Sequence, residues 1–184
     1  MTRTLCLVGL LGLALSACGR DPFEIDWTEN PQEHVLYALD RDELNQFTAF
    51  DMILKARVVL EDPQTEGDWD FAVDREGAGM VFLPPAVLGL TTRAAIAPIP
   101  NSEYEDVTVA PADTLLYVED EPVPIALGTV YVVRTRFDSG PFGRVCQFFG
   151  KVEPLEIDPI AGVVRFLQDT SPDCNNRRLI PPDD

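Results

Sequence analysis

His34 is the chain's single histidine, so any Ser–His–Asp or Cys–His arrangement would have to be built around it. A lone histidine in this setting reads as a surface or capping residue. The chain has no Walker A loop, no H-E-x-x-H and no G-x-S-x-G, which removes the usual phosphate cradle, zinc-protease helix and nucleophile elbow. Carboxylates are plentiful, for example Asp68 with Asp70 and Asp74 with Glu76. Glycosidases use two such groups across a cleft, but among 31 acidic residues such pairs arise by chance and read as solvated strand faces. Trp69 and Trp27 could stack on a sugar. Trp69, alternating with aspartates, reads instead as a core plug beneath a polar face. Met52 and Met80 are soft sulfur donors in strand pattern, where methionine ordinarily packs in a core. No catalytic residue and no metal ligand is assigned, and the chain reads as a binding or structural protein rather than an enzyme.

The cysteines carry more. Arg3 supplies a positive start, Leu5 to Leu15 is an apolar run, and Ser16 and Ala17 are small. That is a secretory signal peptide over residues 1–17, too short for a spanning helix. Leu15-Ser16-Ala17-Cys18 resembles a bacterial lipobox, the motif read by lipoprotein signal peptidase. The resemblance implies that Cys18 becomes the acylated first residue of the mature chain, holding it to a membrane. Gly19 follows where an aspartate would be the usual retention signal of the inner membrane, which favours the outer membrane of a Gram-negative-type bacterium. Cys6 leaves with the signal, so Cys146 and Cys174 remain. In an oxidising compartment, with no histidine or further thiol beside them, they are expected to form a disulfide.

The balance of 14 basic against 31 acidic residues gives a net charge of −17. Such a surface repels phosphates and lacks a basic stripe, so no nucleic-acid partner is expected. Adhesion to anionic lipid through surface charge is disfavoured for the same reason, leaving the acyl chains to anchor the protein.

Elements must then position these residues. Residues 18–30 read as a short acidic tether and residues 31–184 as a single domain. Asn30-Pro31-Gln32-Glu33 matches a helix start, with Asn as N-cap, Pro at N1 and Glu at N3. Val35, Leu36 and Leu39 would give that helix an apolar stripe. Beyond it the period becomes two. Met52, Leu54 and Ala56 alternate with polar neighbours ahead of Val58-Val59-Leu60, and Trp69, Phe71 and Val73 alternate with Asp68, Asp70 and Asp74. From Pro84 to Pro124 lie 7 of the 16 prolines, which confines that stretch to edge strands and long loops. Short strands are expected there near Thr108 and at Leu115 to Val118. Gly128 to Phe137 is a strand whose second face passes from Val130 and Val132 to Arg134 and Arg136, running out towards water. Arg144 to Ile157 and Val163 to Leu167 complete an antiparallel meander. The pattern predicts an all-β domain: an antiparallel β-sandwich or flattened barrel with one short N-terminal helix.

Asp68-Trp69-Asp70-Phe71-Ala72-Val73-Asp74-Arg75 resembles the tryptophan strand of the HmuY-like lipoproteins. Gly128-Thr129-Val130-Tyr131 through Thr135, then Phe149-Gly150-Lys151-Val152 and Gly162-Val163-Val164-Arg165-Phe166, are similar in order to that family's closing strands. The resemblance covers roughly residues 50 to 168 and implies an all-β domain at the outer membrane, with haem capture in some members. Haem iron takes axial His or Met ligands. The histidine pair of those members, which follows the tryptophan strand, is missing here, so Met80 and Met52 are the remaining donors and Trp69 the neighbouring aromatic. Lys151 is expected as an exposed strand residue. The readings that follow are a membrane-anchored binding lipoprotein with a small ligand, a structural or protein-interaction lipoprotein, and a carboxylate-dependent hydrolase with acids converging in a cleft.

Overall fold

The computed structural model describes residues 25–65, 67–140 and 143–182. The expected signal peptide, the expected lipidation site Cys18 and the first part of the expected tether lie outside them. Among the described residues no helix is long and apolar enough to cross a membrane.

Two five-stranded antiparallel sheets pack face to face as a sandwich. The first holds β1 (Gln32–Tyr37), β6 (Ala95–Pro100), β8 (Thr129–Arg134), β11 (Phe149–Asp158) and β12 (Val163–Thr170), in the order β1-β12-β11-β8-β6. The second holds β2 (Ala49–Asp51), β3 (Ala56–Val58), β4 (Phe71–Glu76), β5 (Gly79–Leu83) and β7 (Val123–Pro124), in the order β3-β2-β4-β5-β7. A small two-stranded extension, β9 (Asp138–Ser139) with β10 (Val145–Cys146), joins β8 to β11. The expected meander is present, with β8, β11 and β12 as neighbours. The proline-rich stretch supplies β6 and β7, each at a sheet edge as prolines require. The strands expected near Thr108 and at 115–118 shrink to single bridges, Val109 with Arg178 and Val118 with Ile96.

The predicted N-terminal helix is a strand. Along β1, Gln32, His34 and Leu36 lie opposite Gln168, Phe166 and Val164 of β12, and the last two of these are core residues. A helix would have left that edge of β12 bare, so sheet pairing overrides the local capping signal. The alternation read at Met52, Leu54 and Ala56 is also corrected. Met52 and Leu54 lie in the tight turn between β2 and β3, with Lys55 at φ 52°, and Ala56 opens β3 opposite Asp51.

Phe50, Phe71, Phe82, Tyr131 and Phe166 fill the space between the sheets with Leu36, Met52, Val73, Met80 and Val133. Their rings meet mostly edge to face, at centroid separations of 5.0 Å for Phe71–Phe82 and for Phe82–Tyr131. Each such side chain stabilises the fold by roughly 1.5–3 kcal/mol through burial. The Tyr131 hydroxyl donates to Pro124 O (2.7 Å) and accepts from Ala126 N (2.9 Å), tying the centre of one sheet to the edge of the other. Each outer face is covered as well. Val107, Ala110, Tyr117 and Leu179 lie over Ala95, Ala97, Val130, Val132 and Phe149. Trp69, Leu60, Val87 and Leu90 cover Ala49, Ala72, Val81 and Leu83. Both faces of β8 are therefore buried along its whole length, Arg134 included, against the expectation that its second face runs out to water.

Candidate functional site

An open groove of about 340 Å³ lies on the covered face of the second sheet. One wall is the segment after β3, with Leu60, Glu61, Asp62, Pro63 and Thr65; the other is Leu88 and Leu90. Trp69 lines it from beneath, almost wholly buried. Pro63–Thr65 and Pro85–Leu88 form 3-10 turns, and Gly89 closes the second at φ 85°, a left-handed conformation that glycine adopts freely. The Glu61 carboxylate accepts from Arg41 at 3.0 Å, and Asp62 Oδ1 accepts from Gln64 N at 2.9 Å. The groove therefore has aliphatic and indole walls and an acidic rim, at the small end of ligand-site volumes.

Of the predicted ligand residues, Trp69 reaches this groove and the two methionines do not. Met52 and Met80 are buried between the sheets among the phenylalanines. The gap nearby, lined by Phe71, Phe82, Ile96, Val133 and Val152, has no room for a water molecule. His34 is not a surface cap either. Its ring sits 4.7 Å from Phe50 and 5.8 Å from Phe166, its Nε2 is buried with no hydrogen-bond partner among the described residues, and burial, with Arg57 near, pushes its pKa down. The groove residues Leu60, Leu88 and Leu90 were not singled out from sequence. Leu60 reads only as the end of the Val58-Val59-Leu60 strand run, and Leu88 and Leu90 lie in a Pro/Gly-punctuated segment with no period to read.

The carboxylates do converge, but not in a cleft. Asp70 is fully buried, correcting its reading as a solvated strand residue. Its oxygens accept from Met52 N (2.8 Å), Arg136 N (2.7 Å) and Arg136 Nη1 (3.0 Å). The same guanidinium donates to both oxygens of Asp51, at 3.1 and 2.9 Å. Arg136 thus turns inward to cross-tie the two sheets, and Arg134 is buried against Glu119 and the Tyr117 ring; neither runs out to water. Burial pushes the Asp70 carboxyl up to about 6, against the pull of Arg136 and two backbone amides. A raised carboxyl beside a second acid resembles a catalytic pair, yet both acids are closed off and hydrogen-bonded to the scaffold, so the arrangement holds the sheets together.

Lys151 is likewise buried rather than exposed. Its Nζ donates to Tyr104 O at 3.1 Å and Glu29 Oε1 at 3.2 Å, and lies 4.2 Å from the Tyr104 ring centroid. Next to it in the ladder, Asp169 accepts from Asn30 N at 2.7 Å and pairs with Lys55. Burial and the surrounding carboxylates push the Tyr104 phenol well above its ordinary value. This cluster fastens the start of the domain to the sheet.

Cys146 and Cys174 form the expected disulfide, spanning 28 residues. It pins the tail beside β10; further along the tail, Arg177 O accepts from Ala110 N and Leu179 N donates to Thr108 O. Among the described residues no group of three or more His, Cys, Asp or Glu is placed to hold a metal. No protein-family model, no curated protein and no solved structure matches the chain.

Proposed function

We propose that the protein is an exported lipoprotein, acylated at Cys18 and held at the outer membrane, whose domain binds a small apolar ligand. The observation that carries the binding reading is the groove between Leu60–Thr65 and Leu88–Leu90. Its walls suit an aliphatic or aromatic body and its acidic rim suits a neutral or cationic head group. The Leu15-Ser16-Ala17-Cys18 motif supports the anchor. Haem fits this site poorly, because Glu61 and Asp62 would face its carboxylates and both methionine sulfurs are occupied in packing. Two titrations of the mature protein test the reading. The neutral probe N-phenyl-1-naphthylamine should bind with saturable fluorescence that Leu90→Glu abolishes, while haemin at micromolar concentration should give no Soret shift. Unsaturable probe binding, or binding unchanged in a folded Leu90→Glu variant, would sink the groove; a Soret shift would overturn the ligand class.

A further inference from the structure

The groove over Trp69 carries a polar pattern that its apolar walls do not account for. Of the side chains that line it, Trp69 alone bears an N–H, and an indole nitrogen donates but never accepts. Trp69 is 2% exposed. No acceptor among the described residues takes its N–H, and this nitrogen is not one of the polar atoms sealed in the interior without a partner. The N–H therefore opens on the groove that the residue lines. A tryptophan buried this deeply ordinarily finds a partner for that hydrogen.

The rim has the opposite character. Glu61 is neutralised from behind, because Arg41 donates to it at 3.0 Å and also donates to Ala38 O and Gln46 O. Among the described residues Asp62 has no ion pair, and its carboxylate accepts from Gln64 N alone. The turn spends its own donors internally: Asp62 N on Val59 O, Thr65 N on Asp62 O, and the Thr65 hydroxyl on Val59 O or Asp62 O. The groove thus presents one unspent side-chain donor from beneath and one carboxylate acceptor at its rim, with Leu60, Leu88 and Leu90 as apolar walls.

We propose that the ligand carries an uncharged carboxamide head, whose carbonyl accepts from the Trp69 N–H and whose own N–H donates to Asp62. The proposal rests on the groove's binding an apolar ligand, as proposed above, and supplies the head chemistry that the walls leave open. Other heads meet only half of the pattern. An ester has the acceptor and no donor. An ammonium has donors but nothing for the indole, whose N–H turns its positive end into the groove. A fatty carboxylate accepts from Trp69 but brings its charge against Asp62 and Glu61. Trp69 is thereby a specificity-determining residue, since a site built to hydrogen-bond its ligand rejects an analogue lacking the group more strongly than apolar walls can.

The test loads the mature protein with N-phenyl-1-naphthylamine and lets decanamide, methyl decanoate, decylamine and decanoate compete. Decanamide should displace the probe at concentrations roughly three- to ten-fold below methyl decanoate and decylamine, the worth of one hydrogen bond, and decanoate should be weakest. Asp62→Asn, which keeps an acceptor for Gln64 N, should relieve the handicap of decanoate without changing thermal unfolding. The indole resonances give a direct readout. The chain has 2 tryptophans, so Trp27→Phe assigns the Trp69 N–H signal in a nitrogen–proton correlation spectrum. That signal should move downfield with decanamide, as a hydrogen bond to a carbonyl requires, and not with decylamine. If the probe saturates but the compounds compete alike, or decanamide competes without moving the Trp69 signal, the head assignment is wrong and the groove stands. If decanoate or decylamine competes best, the head is charged and the carboxamide is overturned. If the probe does not saturate, the groove reading falls and takes this one with it.

Discussion

Replacing Gly150 by alanine tests how closely β12 and the β2–β3 turn approach this position. A Cβ built on Gly150 would fall on Met52 Cε of the opposite sheet, and would lie 2.6 Å from the Asp169 carbonyl oxygen and 2.8 Å from Thr170 Oγ1. Met52 is flexible and could swing aside. The Asp169 carbonyl cannot, because Asp169 is paired with Lys151 in the β11–β12 ladder. Overfilling a packed core costs about 1–3 kcal/mol, and a fixed backbone atom places this site at the upper end, about 3 kcal/mol. For a domain of this size that lowers Tm by about 6–12 °C. The opposite sign would follow from backbone entropy alone, since alanine in place of a strand glycine gains about 0.5–1 kcal/mol. Urea unfolding of the wild type, Gly150→Ala, Met52→Ala and the double variant gives the comparison. Met52→Ala alone should lose about 2–5 kcal/mol to its cavity, and the double variant should lose about 1 kcal/mol less than the two singles added. A Gly150→Ala protein as stable as the wild type would refute the claim that β12 and Met52 leave no room for a side chain at this glycine.

Other expectations concern the staple and the buried titrating groups. Reduction of Cys146–Cys174 should lower stability by about 3–4 kcal/mol for a loop of 28 residues, and thiol labelling of the folded, unreduced domain should modify neither cysteine. Asp70 holds its proton more tightly in the fold, at about 6 against 3.8. Its contribution is fully present below about pH 3.8 and is lost as pH rises through about 6. Asp70→Asn should flatten that part of the profile of unfolding free energy against pH; a variant profile parallel to the wild type would count against the assignment. His34 works in the other direction. Its folded pKa lies below 6.5, so its contribution is present above that value and fades as pH falls below it, and His34→Gln should remove this slope.

Much of the sandwich is legible in the sequence because β8, β11 and β12 announce themselves by alternation and by turns at Gly140, Asp158-Pro159 and Gly162. Two-cysteine arithmetic sufficed for the staple. Asn30-Pro31-Gln32-Glu33 misled because a capping signal is local, whereas the partner that makes β1 a strand lies about 130 residues away in β12. The buried charges were illegible for the same reason. Asp70 and Arg136 stand 66 residues apart, and Lys151 and Glu29 122. Each alone reads as a solvated side chain, and only the pairing makes burial tolerable. The groove escaped notice because two separate loops form it and neither has a periodicity to read.

β1 has one ladder partner, β12, and that pairing has a consequence for the order of folding. A chain emerging N-terminus first makes β1 among its earliest segments, yet residues 163 to 170 must appear before β1 has a ladder to join. Until then Leu36 and His34 have no Phe166 or Val164 to cover, and the first sheet lacks β12 and the β1 edge that pairs with it. Pairing across such a separation is slow, because loop closure opposes it. The unfinished chain is therefore held open, and folding is deferred until nearly the whole domain is present. If the protein is exported as proposed, that delay keeps the chain threadable until the domain is nearly complete.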